Sequence, residues 1–353
     1  MKTNPAATLA GALTLALTAG AALSAPNPTG SFKDWRAACD NVGDCMAVGF
    51  TQGEYAVGPY AVVTQRGGPD APPGVSIVLT SADDEAGEGA EVTLTVKGGL
   101  RPFSFTGRAA SGADDASAHL DLEGTGATGL IAAMANGATI DVTVDGKPWG
   151  AVSLSGSSAA LRWIDDRQGR AGGVTALIAK GPRPASAVPA ARPVPVVLRA
   201  AAVSQDNLPA DFPAALEARA DVKACAEEQA DPNGDFGSAT AEARLSADEY
   251  LWSVPCGRGA YNFTSFYLIA HADGSGARSP GIGKDDTAVN GGYDAEGRLL
   301  GAFDKGRGFG DCGEADTWAW DGRRFQLIHH AEMDECRAVS SGDWLVTWQA
   351  EFR

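Results

Sequence analysis

The six cysteines constrain the fold of this chain more than any other feature of its sequence. They lie at Cys39, Cys45, Cys225, Cys256, Cys312 and Cys336. An even number of cysteines in an exported chain predicts a disulfide framework. Zinc sites bring cysteines only a few residues apart, and these cysteines are spaced more widely. The simplest interpretation pairs neighbours as Cys39–Cys45, Cys225–Cys256 and Cys312–Cys336, with metal ligation as the alternative.

The N-terminus predicts export. Lys2 precedes an apolar stretch from Leu9 to Leu23, and small residues follow around Ser24. This order is typical of a secretory signal peptide, and the apolar run is too short for a membrane anchor. Because Pro26 disfavours cleavage directly before it, we place cleavage after Ser24, with residues 1–24 as the signal peptide. The mature chain is expected to be soluble, without a membrane span, and periplasmic or secreted.

The charge of the chain excludes two classes of partner. Twenty-eight basic residues stand against 44 acidic ones, which gives a net charge of −16. The sequence has no run rich in Lys and Arg, so neither nucleic acid nor an anionic membrane surface is an expected partner. The simplest role of the acidity is solubility, and an acidic binding surface is the alternative.

A proline-rich stretch predicts the boundary between two domains. Residues 181–196, GPRPASAVPAARPVPV, contain five prolines and show no apolar periodicity. Such segments are semi-rigid spacers. We therefore expect an N-terminal domain over 25–180 and a C-terminal domain over 197–353, with residues 181–196 as the linker.

Both predicted domains have the pattern of antiparallel sheet with a few helices. In the first, short apolar runs alternate with Gly, Pro and Asp clusters, and Asp145-Gly146 predicts a type I′ hairpin. Two helices are expected there, over 130–136 and 159–168. The second is expected to open with a helix over 212–229 and to continue as strands. The predicted class is α+β in two domains, each mainly antiparallel β and stapled by disulfides.

Two motifs suggest ligand sites, and each has a simpler explanation. Gly124, Gly126 and Gly129 have the spacing of a dinucleotide-binding turn, but a glycine-rich turn opening a short helix is favoured. A second segment has calcium-loop spacing, and an exposed polar turn is its alternative. The candidate calcium ligands are Asp231, Asn233, Asp235 and Glu242. No other cofactor is expected.

His330, Glu332 and Asp334 alternate along a predicted strand, so that they could share one face and bind a metal. A solvated strand face is the favoured interpretation. His119 and His271 are isolated in the sequence, and no G-x-S-x-G nucleophile elbow is present. We therefore assign no catalytic residue.

The second half of the chain is rich in aromatic residues that lie near arginines. Aromatic and arginine side chains dominate many binding surfaces, although most rings of a β-rich domain belong to its core. The residues selected for a candidate binding surface are Arg258, Tyr261, Arg307, Trp318 and Trp320.

Several strings together resemble a family of exported bacterial proteins called domain of unknown function 1176. These are FKDWRAACDNVGDCMAVGF, SLSGSSAALRWIDDRQGR, VPCGRGAYN, KGRGFGDCG and DECRAVSSGDW. The first half also resembles, more loosely, the invasion-associated locus B family, through its early Trp-Cys stretch and NGATIDVTVDGKPWGAVSLSGSSAAL. These resemblances imply export, bridges and two domains, and they supply neither a reaction nor a ligand.

Three functions follow as hypotheses. The favoured one is a periplasmic binding or interaction module for a protein or a glycan of the cell envelope. The alternatives are an inhibitor or chaperone-like partner of cell-wall enzymes, and a hydrolase whose site the sequence does not reveal. An enzyme is the less favoured class.

Overall fold

A computed structural model describes residues 28–82, 84–100, 102–112, 117–228 and 238–353. The predicted signal peptide, residues 1–24, lies outside the described residues. So do Asp231, Asn233 and Asp235 of the candidate calcium loop. Among the described residues, none of the helices has the length and apolar character needed to cross a membrane.

The described residues of the first half form two antiparallel sheets and two helices. The strand order is β1-β2-β3-β4-β5-β8 in the first sheet and β10-β9-β6-β7 in the second. The elements are β1 Gly30–Phe32, β2 Trp35–Cys39, β3 Cys45–Gly49, β4 Tyr60–Gln65, β5 Pro73–Val78, β6 Glu91–Lys97, β7 Phe103–Arg108, β8 His119–Leu122, α1 Gly124–Met134, β9 Thr139–Val144, β10 Lys147–Ser153 and α2 Ser157–Arg167.

The second half forms two larger antiparallel sheets and a small parallel pair. The strand orders are β12-β13-β14-β15, β16-β17-β18-β19-β20 and β11-β21. The elements are β11 Val196–Val197, α3 Ala214–Glu217, α4 Ala220–Glu228, β12 Thr240–Arg244, β13 Tyr250–Arg258, β14 Phe263–Ala270, β15 Thr287–Val289, β16 Gly292–Asp294, β17 Leu299–Lys305, β18 Gly313–Trp320, β19 Phe325–Met333, β20 Leu345–Gln349 and β21 Glu351–Phe352. The predicted α+β class, mainly antiparallel β with a few helices, is confirmed.

The central part of the six-stranded sheet, formed by β2 to β4 and the end of β5, is buried on both faces. Val63 and Ile77 pack on the face that meets the second sheet and the helices, in the core of the first half. Val62 and Val78 point to the opposite face, because successive side chains of a strand alternate. There they pack with Trp344 and other residues of the second half. Burial on both faces explains why these strands are almost continuously apolar in sequence.

The Asp145-Gly146 hairpin forms as predicted. Strands β9 and β10 pair antiparallel, with Lys147 opposite Val144 at the turn. Asp145 has φ 50° and Gly146 has φ 76°. Two successive positive φ angles are what a type I′ turn requires, and the aspartate–glycine pair tolerates them.

Helix α1 begins earlier than predicted. Gly124, Gly126 and Gly129 lie inside it instead of in a turn before it. A Cβ atom at Gly129 would lie 3.1 Å from the Phe103 ring, so the glycine permits close packing of the helix on β7. The dinucleotide-binding interpretation is therefore wrong. The helix expected over 212–229 is divided into α3 and α4.

The three predicted disulfides are present, as Cys39–Cys45, Cys225–Cys256 and Cys312–Cys336. The first closes a tight turn between β2 and β3, in which Asp40 accepts the backbone N–H groups of Val42, Gly43 and Asp44, each at 2.9 Å. The bridge therefore fixes a turn that is also hydrogen-bonded internally.

The proline-rich stretch packs against the first half instead of standing free. Val188 is buried, and the Arg192 backbone N–H donates to the Val42 carbonyl at 3.1 Å. Directly after the stretch, β11 pairs in parallel with β21 near the C-terminus. The domain boundaries at 180 and 197 stay a prediction, and the sheets divide along the chain into two groups on either side of this stretch.

Polar contacts tie the first disulfide turn to the second half. The Asn41 side-chain N–H donates to the Gln349 carbonyl at 2.9 Å, and the Gln349 backbone N–H donates to Asn41 Oδ1 at 2.7 Å. The Gln349 side chain also donates to Asp40. Nearby, Arg36 forms ion pairs with Asp334 and Glu335. The two halves are thus joined by directional bonds as well as by apolar packing.

We predict that Asn41→Ala destabilises the protein. The substitution leaves a strand N–H and a carbonyl of β20 without their partners, which costs about 1–3 kcal/mol of unfolding free energy. Urea unfolding of the oxidised protein measures this loss. The matched control is Asn136→Ala, at an exposed asparagine, which should change the free energy by less than about 0.5 kcal/mol. Equal effects of the two substitutions would contradict the prediction.

Candidate functional site

The turn between β17 and β18 presents an exposed aromatic ring. Lys305 and Gly313 are the last paired residues of the two strands, and Gly306 N–H donates to the Cys312 carbonyl at 2.8 Å. Gly313 has φ 135°, and a Cβ atom there would lie 1.9 Å from the Asp304 carbonyl oxygen, so only glycine fits. The Cys312–Cys336 bridge anchors the turn. Phe309, near its tip, is 89% exposed.

Arg307 is held within the same turn by an acidic partner. Its Nε lies 2.7 Å from Asp311 Oδ1, and a second guanidinium nitrogen binds the other carboxylate oxygen. Asp311 also accepts the Ala338 backbone N–H at 2.6 Å. Burial raises the pKa of Asp311, but the bonds from Arg307 and Ala338 outweigh burial and the pKa is lowered. The Arg307 guanidinium is therefore held in place, and its positive charge is balanced by the Asp311 carboxylate.

Exposed rings lie beside Arg307 and along the neighbouring β13–β14 turn. Its guanidinium carbon lies 5.4 Å from the centre of the Phe309 ring and 5.9 Å from that of Tyr55. The Tyr261 hydroxyl donates to the Gly306 carbonyl at 3.1 Å, and Phe263 follows two residues later, with Arg258 5.6 Å from its ring. We call this set the aromatic–arginine patch; it consists of Tyr55, Arg258, Tyr261, Phe263, Arg307 and Phe309.

Asn262 holds the aromatic–arginine patch together through its side-chain hydrogen bonds. Its side-chain nitrogen donates to Asp304 at 2.8 Å and to the Lys305 carbonyl at 2.9 Å. Its side-chain oxygen accepts a bond from Asn290 at 2.9 Å. These bonds tie the β13–β14 turn to β17, so the rings of the two turns keep a constant separation.

The structure brings together three of the five residues selected from the sequence. Arg258, Tyr261 and Arg307 lie in the patch, but Trp318 is 5% exposed and Trp320 is fully buried. Placing the two tryptophans on the surface was wrong, because they share the inner face of β18 and pack in the core between the two large sheets.

Sequence reasoning missed Tyr55 and Phe309. The signal for Phe309 was available, because a phenylalanine flanked by glycines in a turn between strands has no core to enter. Tyr55 lies in the first half of the chain, and its approach to Arg307 depends on how the two halves pack.

His330, Glu332 and Asp334 do not come together as a metal site. His330 Nδ1 lies 2.7 Å from Asp316 Oδ1, and its Nε2 lies 3.7 Å from Glu332. Asp334 follows the end of the strand and pairs with Arg36. Within the described part of the chain, no three His, Cys, Asp or Glu side chains are placed to hold a metal ion. The prediction that these three residues share a metal-binding face is therefore wrong.

Glu242, the last ligand of the candidate calcium loop, lies on β12 and faces inward. Its carboxylate accepts the Tyr293 backbone N–H at 2.7 Å. Burial raises its pKa, and bonds from Tyr293, Tyr267 and Ser253 oppose this effect. The Glu242 carboxylate is thus already hydrogen-bonded within the second half. Calcium binding by the other three residues stays a prediction.

A groove of about 550 Å³ lies where the six-stranded sheet extends beyond the second half. His119 and Asp121 of β8 line it, with 3.3 Å between imidazole and carboxylate. Asp343 lines the opposite wall and accepts the buried Tyr60 hydroxyl at 2.6 Å. Burial raises the pKa of Asp343. His119 is therefore not isolated, although nothing in the sequence places it near residue 343.

The family model described as "Protein of unknown function (DUF1176)" matches residues 29–351, and the chain belongs to this family. "Uncharacterized protein YpfG" of Escherichia coli (strain K12) is 32% identical over 215 residues, which cover 56% of this chain and 59% of the relative. The chain therefore spans less than two thirds of that relative's length. No solved structure matches the chain. The looser resemblance to the invasion-associated locus B family stays a prediction.

We predict that stability falls as the pH rises from about 6.5 to about 9. Burial lowers the pKa of His330, but hydrogen bonds to Asp316 and Glu332 outweigh it and raise the pKa to about 9. The folded-state pKa lies above the ordinary value of 6.5. The imidazolium therefore stabilises the fold fully below that value, by about 3 kcal/mol, and this contribution is lost towards pH 9.

Urea unfolding at several pH values measures this effect. In His330→Gln the decline of the unfolding free energy over this range should be much shallower than in the wild type. His271→Gln, at a more exposed histidine, is the matched control and should retain the wild-type decline. A His330→Gln profile parallel to the wild type would show that His330 does not cause the decline.

Proposed function

We propose that this protein is an exported interaction module of the cell envelope, and that its aromatic–arginine patch binds a folded protein partner. The observation that carries the proposal is the exposure of Phe309 at the tip of a disulfide-anchored turn. Export is supported by the signal-peptide pattern of residues 1–24 and by the three disulfides, which persist in oxidising compartments. An inhibitor of cell-wall enzymes is one kind of module that this proposal includes.

The composition of the patch is that of an interface. Tyrosine, phenylalanine and arginine are enriched at the centres of protein interfaces, where a few such anchors supply most of the binding free energy. An aromatic ring left in water on a monomer forgoes a large apolar stabilisation. Four of the patch rings, those of Tyr55, Tyr261, Phe263 and Phe309, are exposed.

The rigidity of the turn favours tight binding. Side chains that are ordered before binding lose less conformational entropy when the complex forms. The bridge at Cys312 and the Arg307–Asp311 pair each restrict the turn that carries Phe309. Because Arg307 is already paired with Asp311, a partner can cover it without burying an unpaired charge.

The shape of the patch favours a protein over a glycan. Sugars stack on flat aromatic platforms with polar groups around the ring. Phe309 instead projects as a convex knob that is 89% exposed, which suits insertion into a pocket of a folded partner.

We predict that a photo-reactive phenylalanine analogue at position 309 forms one discrete protein adduct in the envelope of the organism that encodes the chain. Excess unlabelled wild-type protein should suppress the adduct. Phe309→Ala should need at least tenfold more protein for equal suppression, because the loss of a central aromatic anchor costs about 2 kcal/mol.

The matched control places the analogue at Leu100, which is 88% exposed and lies in the β6–β7 turn. This position should give no suppressible adduct. Phe309→Ala should also unfold at the wild-type urea concentration, since the ring packs little in the folded protein. A suppressible adduct of equal yield at Leu100, or suppression by Phe309→Ala as efficient as by the wild type, would contradict the proposal. Suppression by purified cell-wall glycan alone would indicate a sugar ligand.

The groove supports a second candidate, a hydrolase. It gathers an imidazole and two carboxylates, His119, Asp121 and Asp343, in a cavity large enough for a small substrate. A carboxyl with a raised pKa beside a carboxylate-paired histidine is a combination used for acid–base catalysis.

The hydrolase candidate makes a separate prediction. Hydrolysis of a panel of ester, amide and glycoside substrates by the purified protein should fall at least a hundredfold in His119→Gln and in Asp343→Asn. Glu217→Gln, at an exposed carboxylate of α3 outside the groove, should leave the rate unchanged. Activity that persists in both groove variants, or no turnover of any substrate, would remove this candidate.

A further inference from the structure

Arg298 is a fully buried arginine at an unusual backbone position. It is 1% exposed, has φ 58°, and directly precedes β17 after the turn that follows Asp294. The backbone of a non-glycine residue is strained in the left-handed region. The side chain enters the core between the two large sheets of the second half, where Trp318, Trp320 and Phe325 pack.

The charge of Arg298 has little compensation from the protein. One guanidinium nitrogen donates to the Leu245 carbonyl at 2.9 Å. Its Nε and its other terminal nitrogen have no hydrogen-bond acceptor among the residues that the structure describes. Arg298 also forms no ion pair with any described carboxylate. A buried cation without a counter-charge is expensive, and so is a buried N–H group without an acceptor.

Two further donors without acceptors face the same core. Trp320 backbone N–H donates to the Arg298 carbonyl at 3.0 Å, so Arg298 lies opposite Trp320, one residue before the Leu299–Ala319 pair of β17 and β18. Tyr293 is opposite Leu300, which places it on the inner face of the five-stranded sheet. The Trp320 indole nitrogen and the Tyr293 hydroxyl are both buried and have no described partner.

The rings and charges show that these groups are neighbours. The Phe325 ring lies 5.2 Å from that of Trp320 and 5.9 Å from that of Tyr293, measured between ring centres. Burial raises the pKa of Tyr293, the nearby positive charge of Arg298 opposes this rise, and the negative charge of Asp294 adds to it. One cationic side chain and two neutral donors are thus gathered in a water-poor core.

We propose that Arg298, Trp320 and Tyr293 form an internal binding site for one small monovalent inorganic anion of the size of chloride. An anion supplies the missing counter-charge and accepts several N–H and O–H donors at once. Because Arg298 and Trp320 are almost completely buried, the proposal is restricted to a small ion. The site is independent of the aromatic–arginine patch, and its bound ion would stabilise the packing of the two large sheets.

The test is equilibrium unfolding at constant ionic strength with sodium chloride progressively replacing sodium gluconate. Above the dissociation constant, each tenfold rise in chloride should lower the unfolding equilibrium constant about tenfold, as one bound ion requires. Arg298→Met should lose this dependence. Arg323→Met, at an exposed arginine of the β18–β19 turn, is the matched control and should retain it.

Tyr293→Phe provides a milder variant that removes only the hydroxyl, and it keeps the test decisive if Arg298→Met does not fold. It should weaken chloride binding several-fold. A bromide-soaked crystal should show an anomalous peak beside Arg298 Nε. Stability that is equal in chloride and gluconate, full chloride dependence in Arg298→Met, or an unchanged chloride dissociation constant in Tyr293→Phe would overturn the proposal and leave these donors with water as their partner.

Discussion

Burial of the central strands of the six-stranded sheet on both faces is the constraint on which the rest of the structure depends. One face packs with the second sheet and the helices of the first half, and the other packs with the second half. A sheet with two buried faces cannot expose either without losing apolar burial, so the two halves stabilise each other. Small residues such as Ala37 and Ala38, both fully buried, allow the layers to approach closely from both sides.

The aromatic–arginine patch inherits its geometry from this packing. Tyr55 comes from the first half, whereas Arg307 and Phe309 come from the second, and the Tyr55 ring lies near Arg307 only because the halves are joined. The same packing forms the groove, in which β8 contributes His119 and the turn before β20 contributes Asp343. Both candidate sites are therefore properties of the assembled chain, and neither half contains either site complete.

Local sequence rules predicted the local features and failed where packing decides. Asp145-Gly146 specifies its own turn, and the neighbouring cysteines specify their bridges, because both depend on residues that are close along the chain. The alternation of side chains along a strand does not show which face of that strand is covered. The sequence alone therefore could not assign Trp318 and Trp320 to the core. In sequence, a glycine that makes room for the Phe103 ring looks the same as a glycine of a loop. The start of α1 was therefore predicted too late in the chain. His119 and Asp121 are neighbours on β8, but Asp343 joins them in the groove only through contacts across more than 200 residues.

The Cys312–Cys336 bridge has a consequence for when the patch becomes available. Cys312 ends the turn that carries Phe309 and is buried at the junction of the halves. Cys336 precedes Arg337, which donates to the Thr51 carbonyl of the first half at 3.1 Å. The Cys312–Cys336 bridge thus links the turn that carries Phe309 to the contact between the two halves. Since this bond forms where thiols are oxidised, the turn that carries Phe309 gains its covalent link to the rest of the second half only in an oxidising compartment.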